Sequence, residues 1–280
     1  MTHIKYLFKM YYIGSKFHGS QRQLTVLTIE DRLILELKKK NYLTEVRNSE
    51  FEFASRTDRY VSARGACFTC ITNKKPILME INSGLPHEMG VWAYSEVPLD
   101  FSARRNALLR KYLYIFPTPI SYLKKAYGLD IKIMKKACKK LEGRHDFINF
   151  SKREANVVNT IKDMKSVVLS TYNDYLIFKF KSKSFLRQQI RRTVRKLIEL
   201  GTNVISYEDF LKLFNKDEIF SYQPANPDGL ILWDIDYDPK VIFKEDEKSK
   251  EKMKKYFYKK QVNYSLKNQL FRILQQDDFS

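Results

Sequence analysis

Runs of β-branched and aromatic residues alternate twice with short, capped helical patterns along this 280-residue chain, and that alternation limits the fold more than any other feature. Residues 4–13 (IKYLFKMYYI) end at Gly14 and read as a strand. Thr28, with Asp31 three residues on, opens an apolar-periodic helix over Ile29–Leu37, and Lys38–Lys40 supply cations at its end. Ala66–Thr72 and Tyr112–Phe116 are further strand candidates. The stretch 87–97 (HEMGVWAYSEV) and the basic segment Phe101–Arg110 fit neither period. The second half repeats the pattern. Asp130 caps a helix carrying Ile131, Met134, Ala137, Cys138 and Leu141 on one face, with Gly143 as its stop. Met164–Thr171 and Leu176–Lys181 flank a Tyr172-Asn173-Asp174 turn and predict a hairpin. A helix is predicted over Phe185–Leu200, a short one after Ser206, and a last strand over Gly229–Tyr237. The expectation is an α+β architecture of two sheet-and-helix halves, with a boundary near residues 105–125.

Charge narrows the partners. The 51 Lys and Arg exceed the 32 Asp and Glu by 19, which in a chain with a normal apolar content points to a polyanion such as nucleic acid. A lysine-rich proteome is the plainer account. No apolar run reaches the ~18 residues of a membrane helix, and the N-terminus lacks the layout of a secretory signal. Three cysteines (Cys67, Cys70, Cys138) make no disulfide framework and fit a reducing cytoplasm. Cys67 and Cys70 have a zinc-like spacing, but no second pair or nearby His completes four ligands, so a strand is expected there. From Phe243 the composition shifts. Lys244–Lys260 holds eight Lys against four acids, and Tyr264, Leu266, Leu270, Ile273 and Leu274 follow at partly helical spacing. Two readings stay open: a solvated helix docking that stripe on the body, or a basic appendage touching RNA.

Familiar cofactor and nucleophile motifs are missing, and four His are too few for a convincing metal or His-base site. No cofactor and no metal are therefore expected. Ser55-Arg56-Thr57-Asp58-Arg59 sets an acid between two arginines just before a strand. It reads either as a charged surface turn or as a carboxylate held ionised for use as a nucleophile or base. In the helix from Phe185, the stripe Leu186, Ile190, Thr193, Val194 and Leu197 is buried, and Arg187, Arg191 and Arg195 run along its edge. Those arginines either pack their stems with solvated heads or turn inward to pair bidentately with a carboxylate or phosphate. Arg192 and Lys196 read as facing solvent or RNA. Phe101–Tyr114 interleaves Arg104, Arg105, Arg110 and Lys111 with Tyr112 and Tyr114, which suits phosphate contact with base stacking or, alternatively, core packing.

Taken in order, these segments resemble the TruA family of tRNA pseudouridine synthases over roughly Tyr6 to Tyr237. Tyr12-Ile13-Gly14-Ser15-Lys16-Phe17-His18-Gly19 with Gln21-Arg22-Gln23 resembles its opening motif, and Arg56-Thr57-Asp58 its catalytic one. Phe101–Arg104 with Arg110–Tyr114, Gly143–Phe147 with Phe150, Phe185–Arg191 with Leu197–Gly201, and Pro227–Leu230 are similar to four further family elements. The resemblance implies Asp58, Tyr112 and Arg191 as the catalytic set, Arg191 pairing with Asp58. Arg22, Arg56, Arg59, Arg104, Arg105, Arg110 and Arg187 are the candidate substrate contacts. It also implies a cofactor-free isomerase acting on uridines 38–40 of the tRNA anticodon stem-loop, working as a cytoplasmic homodimer without a membrane. The implied fold is a pseudouridine synthase fold: two ferredoxin-like halves, 1–110 and 111–237, forming one continuous, mostly antiparallel sheet. Helices would lie on one side around an RNA-binding cleft, and 238–280 would be a basic helical extension. The chain departs from the family pattern at Ser20, Ser55 and Arg59 through Ala63, where a Trp, a Gly and a stretch ending in His-Ala are usual. Those departures leave room for a catalytically weak RNA-binding or RNA-folding relative.

Overall fold

The computed structural model describes residues 3–154 and 159–276. Its strands are β1 (Ile4–Tyr12), β2 (Glu52–Phe53), β3 (Ser62–Thr72), β4 (Met89–Val97), β5 (Leu109–Ile115), β6 (Gly143–Asp146), β7 (Ile161–Tyr172), β8 (Tyr175–Ser182), β9 (Leu230–Asp236) and β10 (Lys244–Glu245). Its α-helices are α1 (Ile29–Lys39), α2 (Leu78–Asn82), α3 (Ile120–Tyr127), α4 (Ile131–Lys140), α5 (Gln189–Gly201), α6 (Tyr207–Lys212) and α7 (Glu247–Ile273). The strands form one sheet in the order β10-β4-β1-β3-β9-β5-β8-β7-β6, with β2 paired to β3. Every pairing is antiparallel except the short β3–β9 contact, Ser62 opposite Ile231 and Ala63 opposite Leu232. β9 is thus the seam, parallel to β3 on one side and antiparallel to β5 on the other. The expected α+β class with a continuous, mostly antiparallel sheet is what forms.

Local chemistry accounts for most boundaries. Thr28 and Asp31 make the reciprocal capping box that starts α1. Asp130 accepts from the Lys132 and Ile133 amides to start α4. The β7–β8 hairpin closes through Asn173, which takes the left-handed conformation (φ 51°) that a two-residue turn needs. Two expectations differ. β4 showed no alternation because both its faces are covered: Met89 and Val91 join the main core, and Trp92 and Ala93 pack under α7. Helix α5 begins at Gln189 rather than Phe185, because Gln188 is left-handed (φ 58°) and the Gln189 side chain accepts from the Leu186 amide, holding residues 185–188 in a turn.

The C-terminal segment docks by its first turns and not by its later apolar stripe. β10 pairs with β4, and Asp246 caps α7 through the Ser249 amide. Ser249 is buried against Asn82, and Met253, Tyr256 and Phe257 pack on Tyr11 and Trp92. The stripe that one of the two readings would dock, Tyr264, Leu266, Leu270, Ile273 and Leu274, lies exposed. A helix of 27 residues is about 40 Å long, and its docking face is spent in the first three turns. Residues 277–280 of this segment lie outside the described residues. Among the described residues no helix is long and apolar enough to cross a membrane. Met253→Ala is expected to lower the unfolding free energy by about 2 kcal/mol or more. Leu266→Ala, at a side chain 72% exposed, should change it by under about 0.5 kcal/mol. Urea denaturation checks both, and an equal loss at the two positions would contradict this packing.

Candidate active site

Residues 54–61 link β2 to β3 without regular structure, and the chain fastens that link from several directions. Tyr12 and Thr57 share a hydrogen bond between their hydroxyls at 2.8 Å. The Thr57 amide donates to Ser20 Oγ at 2.8 Å, and the Ser20 amide returns a bond to the Thr57 carbonyl. The Gly14 amide donates to Ser62 Oγ at 3.0 Å. Two glycines allow this closeness. A Cβ on Gly14 would lie 2.3 Å from the Val61 carbonyl oxygen, and one on Gly19 would sit 3.0 Å from that of Thr57, with Gly19 itself at φ +92°. Ser20, Ser55 and Ser62 are positions where the chain departs from the family pattern, and each puts a hydroxyl to use in holding this link. Sequence reading passed over them as tethers because a serine in a loop carries no pattern of its own.

Asp58 sits at the middle of the link, half-buried. Arg191 Nη1 donates to its Oδ2 at 2.8 Å, and Arg191 Nε donates to the Ala225 carbonyl at 2.8 Å. The expected pairing forms, with one guanidinium N–H on the carboxylate rather than two. Its second arm is taken by the 221–226 segment, whose Ala225 amide bonds back to the Arg191 carbonyl. The guanidinium is almost fully buried while the carboxylate keeps access to the cleft.

Tyr112 and Arg110 stand side by side on β5. Tyr112 is buried, with Phe185 set edge-on to its ring at 5.1 Å. Burial pushes its phenol up to about 12; Arg110 and Ser55 pull the other way, and the charge on Asp58 adds to the rise. Arg110 is buried and reaches four acceptors: Ser55 Oγ at 2.7 Å and the carbonyls of Ala54, Arg104 and Lys183. It ties the Asp58 link, the 101–108 turn and the end of β8 together, so its position here is structural as well as cleft-lining.

These groups open on a cleft of about 1360 Å³, lined by Arg22, Arg56, Arg59, Arg104, Arg110 and Arg187 among others. That exceeds the roughly 300–1,000 Å³ of small-molecule pockets and suits a polymer. Arg105 is not among the lining residues. Of the three edge arginines, Arg191 alone meets Asp58; Arg187 precedes the helix and pairs with Glu154, and Arg195 pairs with Glu199 one turn on. Arg192 and Lys196 do not face solvent as expected. Both lie over the Tyr222 ring at 4.2 Å, because the segment after α6 folds across that side of α5. Cys67 and Cys70 lie in β3 as expected, both buried, and burial pushes each thiol up to about 12. They are therefore neutral and poor metal ligands at neutral pH.

A family model described as tRNA pseudouridine synthase matches residues 137–238. The curated tRNA pseudouridine synthase A of Methanosphaera stadtmanae is 34% identical, over 90% of this chain and 90% of its own length. That of Methanosarcina mazei is 33% identical over 85% and 86%, and that of Thermococcus kodakarensis 31% over 92% and 93%.

The raised phenol of Tyr112 has a consequence for stability. Its neutral form is favoured in the fold, so its contribution is complete below pH 10 and is lost as pH climbs through about 12. The stability of the native protein relative to Tyr112→Phe should hold constant up to about pH 9 and decline between 10 and 12. Urea denaturation across that range measures it, and a constant difference would contradict the buried, un-ionised phenol.

Proposed function

The chain belongs to the tRNA pseudouridine synthase A family, and from that premise we propose that it isomerises uridines 38–40 of the tRNA anticodon stem-loop, with Asp58 as the attacking carboxylate. The observation that carries this reading is the Asp58–Arg191 pair, whose carboxylate lines an arginine-rich cleft. The reaction breaks the bond from N1 of the base to C1′ of the ribose. The base then turns, C5 bonds to the same C1′, and C5 gives up its proton while N1 takes one on. A carboxylate oxygen within reach of C1′ assists by forming a covalent adduct or by pairing with the cationic sugar. Arg191 fixes which oxygen is free to do so, because it occupies Oδ2.

The target base must leave its stack to reach Asp58. Tyr112, buried beside the carboxylate, offers a ring for the extruded uracil and a hydroxyl that donates at neutral pH. With its phenol pushed up to about 12, it is not a phenolate base there. The cleft arginines contact phosphates, whose neutralisation gives affinity without sequence choice. Residues 1–110 and 111–237 serve as the two halves flanking the cleft, the enzyme acts as a homodimer in the cytoplasm, and the segment from 238 adds cationic surface. The weaker alternative, an RNA-binding relative without turnover, drew on the altered Asp58 link. The hydroxyl tethers of Ser20, Ser55 and Ser62 hold that link in place and so support the enzyme reading.

Reaction with uridine-labelled tRNA followed by mapping should find pseudouridine within 38–40; product confined to other positions would overturn the target assignment. Arg191→Ala should lower kcat/KM about 100-fold or more, since the carboxylate loses the group that orients it. Arg191→Lys should recover part of that loss, because an ammonium cannot hold Asp58 and the Ala225 carbonyl with the same planar fork. Single-turnover rates measure this, and wild-type rates in both variants would contradict the pairing's role.

A further inference from the structure

Asp58 to Val61 forms a tight turn, closed by the Val61 amide on the Asp58 carbonyl at 3.2 Å. Its third residue is Tyr60, with φ +70°. Positive φ at that place is what a type II turn demands, and it favours Gly or Asn because a Cβ there crowds the backbone. A tyrosine is among the poorer choices. The conformation persists because the surroundings impose it: Gly14 lies so close that a Cβ on it would be 2.4 Å from the Tyr60 carbonyl carbon and oxygen. Glycine at 60 would satisfy the same turn without strain. A bulky ring is therefore held at this point against a local cost, two residues from the carboxylate.

The ring's situation shows what it offers. Tyr60 is half-buried, Arg59 is exposed, and the Arg59 guanidinium lies over the Tyr60 ring at 4.4 Å. Arg59 and Asp58 both line the cleft, and Tyr60, which is not among its lining residues, backs the Arg59 guanidinium. A guanidinium plane and a tyrosine ring are the two side-chain surfaces on which unstacked bases settle, and the cation adds attraction for phosphate. When a uridine is drawn out of its helix toward Asp58, the nucleotide beside it loses a stacking partner. We propose that Tyr60, with Arg59 stacked on it, is a platform for the nucleobase next to the target uridine. The proposal rests on the reading of the cleft as a tRNA uridine site.

Three variants test it. Tyr60→Gly should fold with an equal or higher thermal midpoint, since the turn's strain is relieved. Its KM for tRNA should rise about tenfold, the scale of one lost aromatic stack, with a smaller fall in kcat. Tyr60→Phe keeps the ring and should stay within about twofold of wild type on the same stacking argument. In Tyr60→Trp, indole fluorescence should be quenched by an anticodon stem-loop RNA and not by a perfect RNA duplex of equal charge. A wild-type KM in Tyr60→Gly, a loss in Tyr60→Phe as large as in Tyr60→Gly, or quenching alike by both RNAs would overturn the platform. Absence of pseudouridine with the unaltered protein would overturn the activity instead, and the quenching comparison then still decides whether position 60 stacks on an unpaired base.

Discussion

A single ion pair joins residues 133 positions apart: Arg191 on α5 and Asp58 on the link between β2 and β3. Its partners come from the two sides of the β9 seam, so the distance between carboxylate and guanidinium depends on how the whole sheet registers. Burial gives the pair its value. An almost fully enclosed guanidinium needs an acceptor for each arm, and the Asp58 carboxylate and the Ala225 carbonyl provide them. Removing one partner would leave a charge with nothing to answer it. The Asp58 carboxylate itself stays partly exposed and lines the cleft.

The link that carries Asp58 has no regular structure, yet it is fastened from several directions. Backbone approaches at Gly14 and Gly19, hydroxyls from Tyr12, Ser20 and Ser62, and the fork of Arg110 converge on a few residues. Placement of this kind is what preorganised chemistry requires, because a shift of about 1 Å at a reacting group is costly. The strained Tyr60 is the counterpart: the turn is determined by its neighbours, so a residue poorly suited to it is tolerated.

Much of this was legible in the sequence where the signal is local. The Thr28–Asp31 box, the Asp130 cap and the Asn173 turn each depend on a few residues whose chemistry is stereotyped, whereas the Asp58–Arg191 pairing followed only from the family resemblance, the residues by themselves leaving it open. What escaped depends on distant packing. β4 hid because cover on both faces erases alternation, and Arg192 was misread because a later segment folds over it. The docking face of α7 stayed open because its apolar spacing does not reveal where the body beneath it ends. Serine tethers carried no signal beyond their coincidence with departures from the family motif.

The central claim is that the Asp58 carboxylate performs the chemistry while the many cations perform the binding. Asp58→Asn keeps the shape and an oxygen acceptor but is neutral and a very poor nucleophile. Measured as single-turnover pseudouridine formation on tRNA, alongside tRNA affinity and thermal midpoint, the variant should lose activity by several orders of magnitude. Affinity should change little, since the phosphate contacts are assigned to other residues, while the thermal midpoint should fall, because the buried Arg191 keeps an oxygen acceptor but loses its counter-charge. Pseudouridine formation near the wild-type rate by Asp58→Asn would contradict the account.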